Sequence, residues 1–304
     1  MLVRMVIAIL GPTASGKSEL GLALAERLSG EIVCCDSMQV YRGMDIGTGK
    51  PTHNEQTRCP HHLLDLVDPG ESFHAAAWAA RARTVVDDIH RCGRTPIIVG
   101  GTGLYFRALR AGLFDAPPPD PVIRARHQAE AVSLGVPTLY RRLQEIDPDA
   151  AAKILPGDLV RTSRALEVYE QTGIPVSELR RRAAVSPLPC NLFVVILDYP
   201  LARLRPLIHR RVERMMAAGF LSEVEALRTA GFGHTRALTA LGYKQLGQHL
   251  DGRLTLEEAM AQTKTATSAY ARRQRTWFRR EPADLRAPEL QDPDALARDL
   301  SAHR

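Results

Sequence analysis

The run Gly11-Pro12-Thr13-Ala14-Ser15-Gly16-Lys17-Ser18 constrains the fold of this chain more than any other stretch. Apolar residues Val6 to Leu10 lead into it, and a helical pattern through Leu20, Leu22, Leu24 and Leu28 follows. Strand, glycine-bounded loop and helix in this order, closed by Lys and Ser, match the P-loop signature. In such a loop, backbone N–H groups and a helix N-terminus surround an anionic phosphate. Gly11 and Gly16 leave room for the tight turn, because neither carries a Cβ. Residues Gly11, Pro12, Thr13, Ala14, Ser15, Gly16, Lys17 and Ser18 are therefore expected to bind a di- or triphosphate, with the Ser18 hydroxyl as the protein's ligand to Mg²⁺. A chance glycine-rich turn would not be expected to carry both flanks.

The rest of the chain reads as a P-loop NTPase-like α/β domain, a parallel sheet flanked by helices, with a small helical domain inserted. Its 304 residues, 45% of them hydrophobic, suffice for one large domain and a smaller one. Glu31 to Cys35 reads as a buried strand ending at Asp36-Ser37-Met38-Gln39. Ligands of open parallel sheets bind at the carboxyl ends of strands, so Asp36 is expected to face the crevice as a catalytic carboxylate, with a turn or cap role as the alternative. Tyr41 to Pro51 is a glycine-rich loop, and His61 to Val67 is expected to form a strand. Ser72 is expected to cap a helix running to Arg91. Pro96 to Val99 forms another strand that empties into Gly100-Gly101-Thr102-Gly103, placing the Thr102 hydroxyl in the same crevice.

A breaker cluster from Asp115 to Pro121 and another at Ser186 to Pro189 enclose a helix-rich stretch. We therefore expect a catalytic core of residues 1–114 and 188–304 and a helical insertion of residues 115–187. Leu192 to Leu197 resumes the sheet, Thr255 to Glu258 reads as a capping box, and the final 24 residues are expected to be a surface tail with a short helix.

Charge is unevenly placed. Residues 263–280 carry six basic side chains (Lys264, Arg272, Arg273, Arg275, Arg279, Arg280) and no acid, as many charges as the whole net charge of +6. Tyr270, Trp277 and Phe278 are interleaved, a composition suited to a polyanion, although a solvated helix face would read similarly. A second basic group comprises Arg203, Arg205, Arg210, Arg211 and Arg214. In the insertion, Arg124, Arg126, Arg161 and Arg164 could reach a ligand, or pair with Glu167 and Glu170. The five cysteines form no C-x-x-C pair, and Cys59, His61 and His62 are too few for a metal cage and read as structural. With no secretory leader and no apolar stretch of membrane-spanning length, a cytoplasmic protein without membrane attachment is expected.

At this point a specific resemblance emerges. GPTASGKS, DSMQVYRGMDIGTGKP, HHLLDLVDP, VGGTGLYFRAL, RALEVYEQTG, LGYKQ and RRQRTWFR occur in the order of the motifs of bacterial tRNA dimethylallyltransferases, also called tRNA isopentenyltransferases, and cover roughly residues 5–280. The resemblance implies transfer of a dimethylallyl group from dimethylallyl diphosphate to N6 of adenosine 37 beside the tRNA anticodon, with release of diphosphate. It implies Asp36 as the base that takes the amine proton, and Thr102 as a second catalytic residue near the amine or the diphosphate. It also implies contact with tRNA by Asp36, Ser37, Met38, Gln39 and Thr102 around the adenine, and by Arg124, Arg126, Val160, Arg161, Thr162, Ser163 and Arg164 on the anticodon loop. Arg272, Arg273 and Arg275 join this set from the basic run. The chain departs from the family pattern at Leu155-Pro156-Gly157-Asp158 and at Thr239, where some relatives have Arg; Lys244 is taken as the nearby basic substitute toward tRNA. A monomer without a C-terminal zinc finger is expected, Cys190 being the last cysteine. A small-molecule kinase, an enzyme prenylating free adenine nucleotides, and a non-catalytic RNA-binding P-loop protein are the competing readings.

Overall fold

The computed structural model of the chain describes residues 5–112, 116–182, 188–289 and 291–302. It divides into two compact units, Met1–Arg110 with Leu188–Arg304, and Ala111–Pro187. Asp115, Ser186 and Pro187, which belong to the breaker clusters, lie outside the described residues.

The first half of the larger unit runs β1 (Met5–Leu10), α1 (Lys17–Arg27), β2 (Gly30–Cys35), α2 (His53–Arg58), β3 (His61–His62), α3 (Ala75–Arg91), β4 (Thr95–Gly100) and α4 (Gly103–Ala111). The smaller unit holds α5 (Pro121–Leu134), α6 (Val136–Ile146), α7 (Pro148–Ala151), α8 (Leu159–Thr172) and α9 (Val176–Arg182). The larger unit resumes with β5 (Asn191–Leu197), α10 (Leu201–Ala217), α11 (Phe220–Leu227), α12 (Tyr243–Leu250), α13 (Leu256–Phe278), β6 (Leu285–Ala287) and α14 (Pro293–Ala302).

Among the described residues six strands form one sheet in the order β3-β2-β4-β1-β5-β6, and all their pairings are parallel. Near-continuous apolar strands suit a parallel sheet covered on both faces. Alternation then divides each strand between two cores. Val6, Ala8 and Leu10 pack with α3 and α4, whereas Met5, Ile7 and Ile9 pack with α1 and α14. Register aligns the carboxyl ends: Leu10 pairs with Gly100 and with Ile196, and Cys35 pairs with Gly100. The loops after β1, β2 and β4 therefore open on one edge.

Three local expectations are corrected. The strand expected over His61–Val67 is confined to His61 and His62, because Leu63 (φ 67°) and Asp65 (φ 53°) turn into the left-handed region; beyond them the chain meets the Gln39–Arg42 segment through irregular backbone hydrogen bonds and a bridge between Tyr41 and Val67. The helix expected from Ser72 starts at Ala75, capped by the His74 ring, which accepts from the Ala77 N–H at 3.3 Å. The final residues are not a surface tail. Leu285–Ala287 pairs with β5, and Leu296, Ala297 and Leu300 of α14 join the core that holds Leu20 and Leu24 of α1. Leu300 is fully buried, so Leu300→Ala is expected to lower unfolding free energy by about 2–5 kcal/mol in a denaturant titration.

The capping box at Thr255 is present, its hydroxyl accepting from the Glu258 N–H. Cys59 is buried with its thiol 3.4 Å from the Gly30 carbonyl, and His62 lies 2.5 Å from Glu31.

In the smaller unit, Leu139, Leu143, Leu166 and Val168 form the core. Beside it, the fully buried Glu167 accepts from the Asp120 N–H at 2.5 Å, from Arg124 at 3.1 Å and from Arg164 at 2.7 Å. Burial favours its neutral form, but these donors outweigh it and hold the carboxyl below the usual range.

Candidate active site

Between β1 and α1 the backbone alternates in hand: Ala14 has φ 62° and Gly16 has φ 82°. A left-handed residue other than glycine is uncommon, and alternation of this kind turns successive N–H groups into one concavity. Ser15 is 1% exposed and its hydroxyl has no hydrogen-bond partner, a buried polar group aimed at nothing the protein supplies. Lys17 Nζ donates to the Pro12 carbonyl at 3.2 Å. Burial first, and then the Arg211 charge, lower the Lys17 pKa to about 8 against the opposing pull of Asp36. Orphaned hydroxyl, strained nest and desolvated ammonium together fit an oxyanion.

A second wall comes from α13. The Thr13 N–H donates to Gln274 Oε1 at 2.9 Å, and Gln274 Nε2 donates to the Gly101 carbonyl at 2.9 Å. This single buried amide ties the Gly11–Ser18 loop to the turn that carries Thr102. Tyr270, one helical turn earlier on α13, adjoins Thr102.

The Asp36 carboxylate lies at the carboxyl end of β2. Its Oδ1 accepts from the Met38 N–H at 2.8 Å, so the carboxylate shapes the turn, the alternative weighed from sequence, and it lies close enough to Lys17 to feel its charge. Burial raises its pKa above the ordinary carboxylate value, against the Met38 and Gln39 N–H groups and the Lys17 and Arg211 charges. Thr102 Oγ1 accepts from the Ser37 N–H at 3.0 Å, joining the β2 and β4 loops. Thus Lys17, Asp36, Ser37 and Thr102 converge. Gln39 Nε2 donates to the Gly49 carbonyl at 3.0 Å and fixes the next loop.

Because the positive charge of Lys17 is lost as pH rises through about 8, affinity for inorganic pyrophosphate is expected to fall across that range. The permanently charged Lys17→Arg variant is expected to flatten the fall; calorimetric titration across the range reads both.

A match to the IPP transferase family spans residues 39–281, and one to the isopentenyl transferases spans residues 4–66. The chain belongs to the IPP transferase family. It is 47% identical over 293 residues to the tRNA dimethylallyltransferase of Anaeromyxobacter dehalogenans (strain 2CP-C), covering 96% of this chain and 98% of that one. It is 48% identical over 286 residues to the tRNA dimethylallyltransferase of Roseiflexus sp. (strain RS-1), covering 93% and 92%. The crystal structure of the tRNA isopentenylpyrophosphate transferase of Bacillus halodurans superposes with a TM-score of 0.69 at 38% identity, over 99% of this chain and 95% of that one. A eukaryotic dimethylallyltransferase captured acting on tRNA gives 0.73 at 29% identity, over 90% and 70%.

In this family member the basic residues expected at tRNA are unequally free. Arg272 and Arg273 are exposed on α13, Arg273 lying 5.6 Å from the Tyr270 ring. Arg275 instead turns inward to Asp198 at 2.9 Å. Of the insertion residues, Arg124 and Arg164 serve Glu167, Arg126 pairs with Glu170, Thr162 is fully buried, and the Ser163 hydroxyl meets the buried His127 ring at 2.9 Å. The pairings with Glu167 and Glu170 are the alternative that the sequence left open, with Arg124 and Arg126 reaching across from α5. Val160 and Arg161 at the start of α8 are exposed, Arg161 beside Asp158 at 3.5 Å. Lys244 is exposed on α12.

Sequence reasoning missed Arg211 and Gln274 as site residues. Arg211 was one of five arginines in a run, and charge counting does not tell an inward arginine from a solvated one. Gln274 carried one usable signal, its position four residues after Tyr270 on one helix face.

Proposed function

We propose that this chain transfers a dimethylallyl group from dimethylallyl diphosphate to N6 of adenosine 37 in the tRNA anticodon loop, releasing diphosphate. The observation that carries the reading is the phosphate cradle adjoining Asp36, in a chain alike over nearly its whole length to tRNA dimethylallyltransferases. The allylic C–O bond breaks, the C–N bond forms, and the N6 proton passes to Asp36. Thr102, anchored to the Ser37 N–H, lines the same crevice near the amine, where Met38 and Gln39 flank the base. The loop N–H groups, Ser15, Lys17 and Arg211 hold the negative charge that gathers on the departing diphosphate. An unpaired loop base is extruded at low cost, which suits adenosine 37.

Mg²⁺ fits the donor chemistry of this site. The exposed Ser18 hydroxyl in the first turn of α1 is a hard oxygen donor, and no group of three or more His, Cys, Asp or Glu side chains among the described residues forms a cage. A small cation held by one hydroxyl and the diphosphate oxygens matches that pattern, and when bound it would neutralise charge on the leaving group. No helix among the described residues is long and apolar enough to cross a membrane. The protein is proposed to act on tRNA as a monomer in the cytoplasm.

Incubation with radiolabelled dimethylallyl diphosphate and unmodified tRNA is expected to label adenosine 37. Labelling of a small molecule from ATP, with inert RNA, would overturn the reading in favour of a kinase, and label on free AMP without RNA would make adenine nucleotides the acceptor. Val160, Arg161, Arg272, Arg273, Lys244 and Arg126, the last exposed although paired with Glu170, are the outward residues assigned to tRNA, with Arg124, Thr162, Ser163, Arg164 and Arg275 supporting from within. Replacing Arg272 and Arg273 by Ala is expected to weaken tRNA binding and reduce its log–log salt slope by about 2, roughly one per phosphate contact. An unchanged slope in a filter-binding titration would return this helix to a solvated face.

A further inference from the structure

The loop from Tyr41 to Pro51 is held by a residue far away in sequence. Glu223 on α11 accepts hydrogen bonds from three successive backbone N–H groups: Asp45 at 3.0 Å and Ile46 at 2.6 Å on Oε2, and Gly47 at 3.1 Å on Oε1. The Tyr243 hydroxyl donates to the same Oε1 at 2.6 Å. Each carboxylate oxygen thus takes two donors. Gly47 packs so closely on Phe220 and Tyr243 that any Cβ there would collide with both rings. At the far end of the loop, Lys50 Nζ reaches Asp45 at 2.6 Å, Asp65 at 2.5 Å and the Tyr41 carbonyl at 2.6 Å.

What the loop carries links this clasp to the crevice. Gly49 (φ +63°) lies against the Arg211 guanidinium, where a Cβ would collide with Nη2. The Thr48 and Gly49 carbonyls accept from Gln39 Nε2 at 3.4 and 3.0 Å, three residues after Asp36. The Arg211 charge is felt at both Lys17 and Asp36. A shift of the loop would therefore move the guanidinium and Gln39 together.

We propose that Glu223 is a positioning residue for the transfer site: by clasping Asp45, Ile46 and Gly47 it sets the loop that aims Arg211 toward the phosphate cradle and holds Gln39 beside Asp36. The inference rests on the diphosphate reading of that site. Glu223 itself touches neither reactant. Its effect travels through one loop and one guanidinium, and a displaced charge binds its ligand more weakly.

The test is a double-mutant cycle read by calorimetric binding of inorganic pyrophosphate, with circular dichroism and melting confirming the fold. Glu223→Gln removes the charge and puts an amide NH₂ against at least one backbone N–H whichever way it lies, so the clasp loosens. It is expected to weaken pyrophosphate binding about tenfold in the native background and to add little once Arg211→Lys is present. Unchanged affinity would overturn the proposal, as would an equal loss in both backgrounds, because a general structural defect does not depend on Arg211. Should the Gln variant not fold, Glu223→Asp, which keeps the charge and withdraws it by one methylene, is taken through the same cycle under the same two criteria. Pyrophosphate meets the cradle whatever the acceptor, so these outcomes decide the clasp independently of whether RNA is labelled; a native chain that binds no pyrophosphate would overturn clasp and cradle alike.

Discussion

Replacement of Asp36 by Asn is expected to cut the single-turnover rate of prenyl transfer by about 10²–10⁴-fold, the usual contribution of a positioned general base. Asn keeps an oxygen that can accept from the Met38 N–H, so the turn after β2 should persist. What disappears is the group able to take the N6 proton. Binding and chemistry should therefore separate: tRNA affinity stays near the native value while the rate collapses. The measurement is rapid-quench turnover at saturating tRNA beside equilibrium binding of the same RNA. A variant within about tenfold of the native rate would remove Asp36 as the base and direct attention to another acceptor in the crevice.

Lys17→Met is expected to have the second largest effect, a fall of about 10²–10³-fold in kcat/KM for the diphosphate donor, comparable to removing one preorganised donor from an anionic transition state. Met retains the apolar stem and approximate volume, so the packing around the loop is little disturbed, and only the charge is lost. The donation to the Pro12 carbonyl is lost with it. The burial that lowers this ammonium to about 8 also makes the loss of its charge costlier than at an exposed position. The loss should fall on the donor, leaving KM for tRNA nearly unchanged; a donor KM and kcat both close to native would rule out direct charge stabilisation by Lys17.

The two predictions concern parts of the site that were legible in very different ways. The cradle could be read locally, since Gly11 to Ser18 lie between an apolar run and a helical pattern and need only their neighbours to define the loop. Asp36 needed one further rule, that crevices form at the carboxyl ends of parallel strands, and the register of β2 on β4 agrees with it. The helix start misplaced at Ser72 and the strand overextended to Val67 failed for local reasons. A His74 ring can cap as Ser does, and left-handed residues at Leu63 and Asp65 carry no glycine to announce them.

The insertion shows a different gap. Its ten basic and nine acidic side chains between Asp120 and Arg182 nearly cancel, which told nothing of which arginine meets which carboxylate. Arg164 meets Glu167 within α8, three residues apart, but Arg124 reaches it because α5 packs on α8, and only packing brings residues 43 apart to 3.1 Å. The same applies to β6 and α14: three short apolar positions in a polar stretch look like a surface tail until β5 offers an edge and α1 a face.

Sequence alone was enough for the strand–loop–helix order around Gly11 to Ser18, the buried strands ending before Asp36 and Thr102, and the residue types available for prenyl transfer, because these depend on neighbours one to four positions away. Tertiary structure alone decided that Gln274 would bind Thr13 across 261 residues, that Arg211 would leave its basic run for the crevice, and that Glu223 would clasp a loop 176 to 178 residues earlier. Such contacts follow from how helices dock on a sheet, and a linear pattern records which faces are apolar without recording which polar group each face will meet.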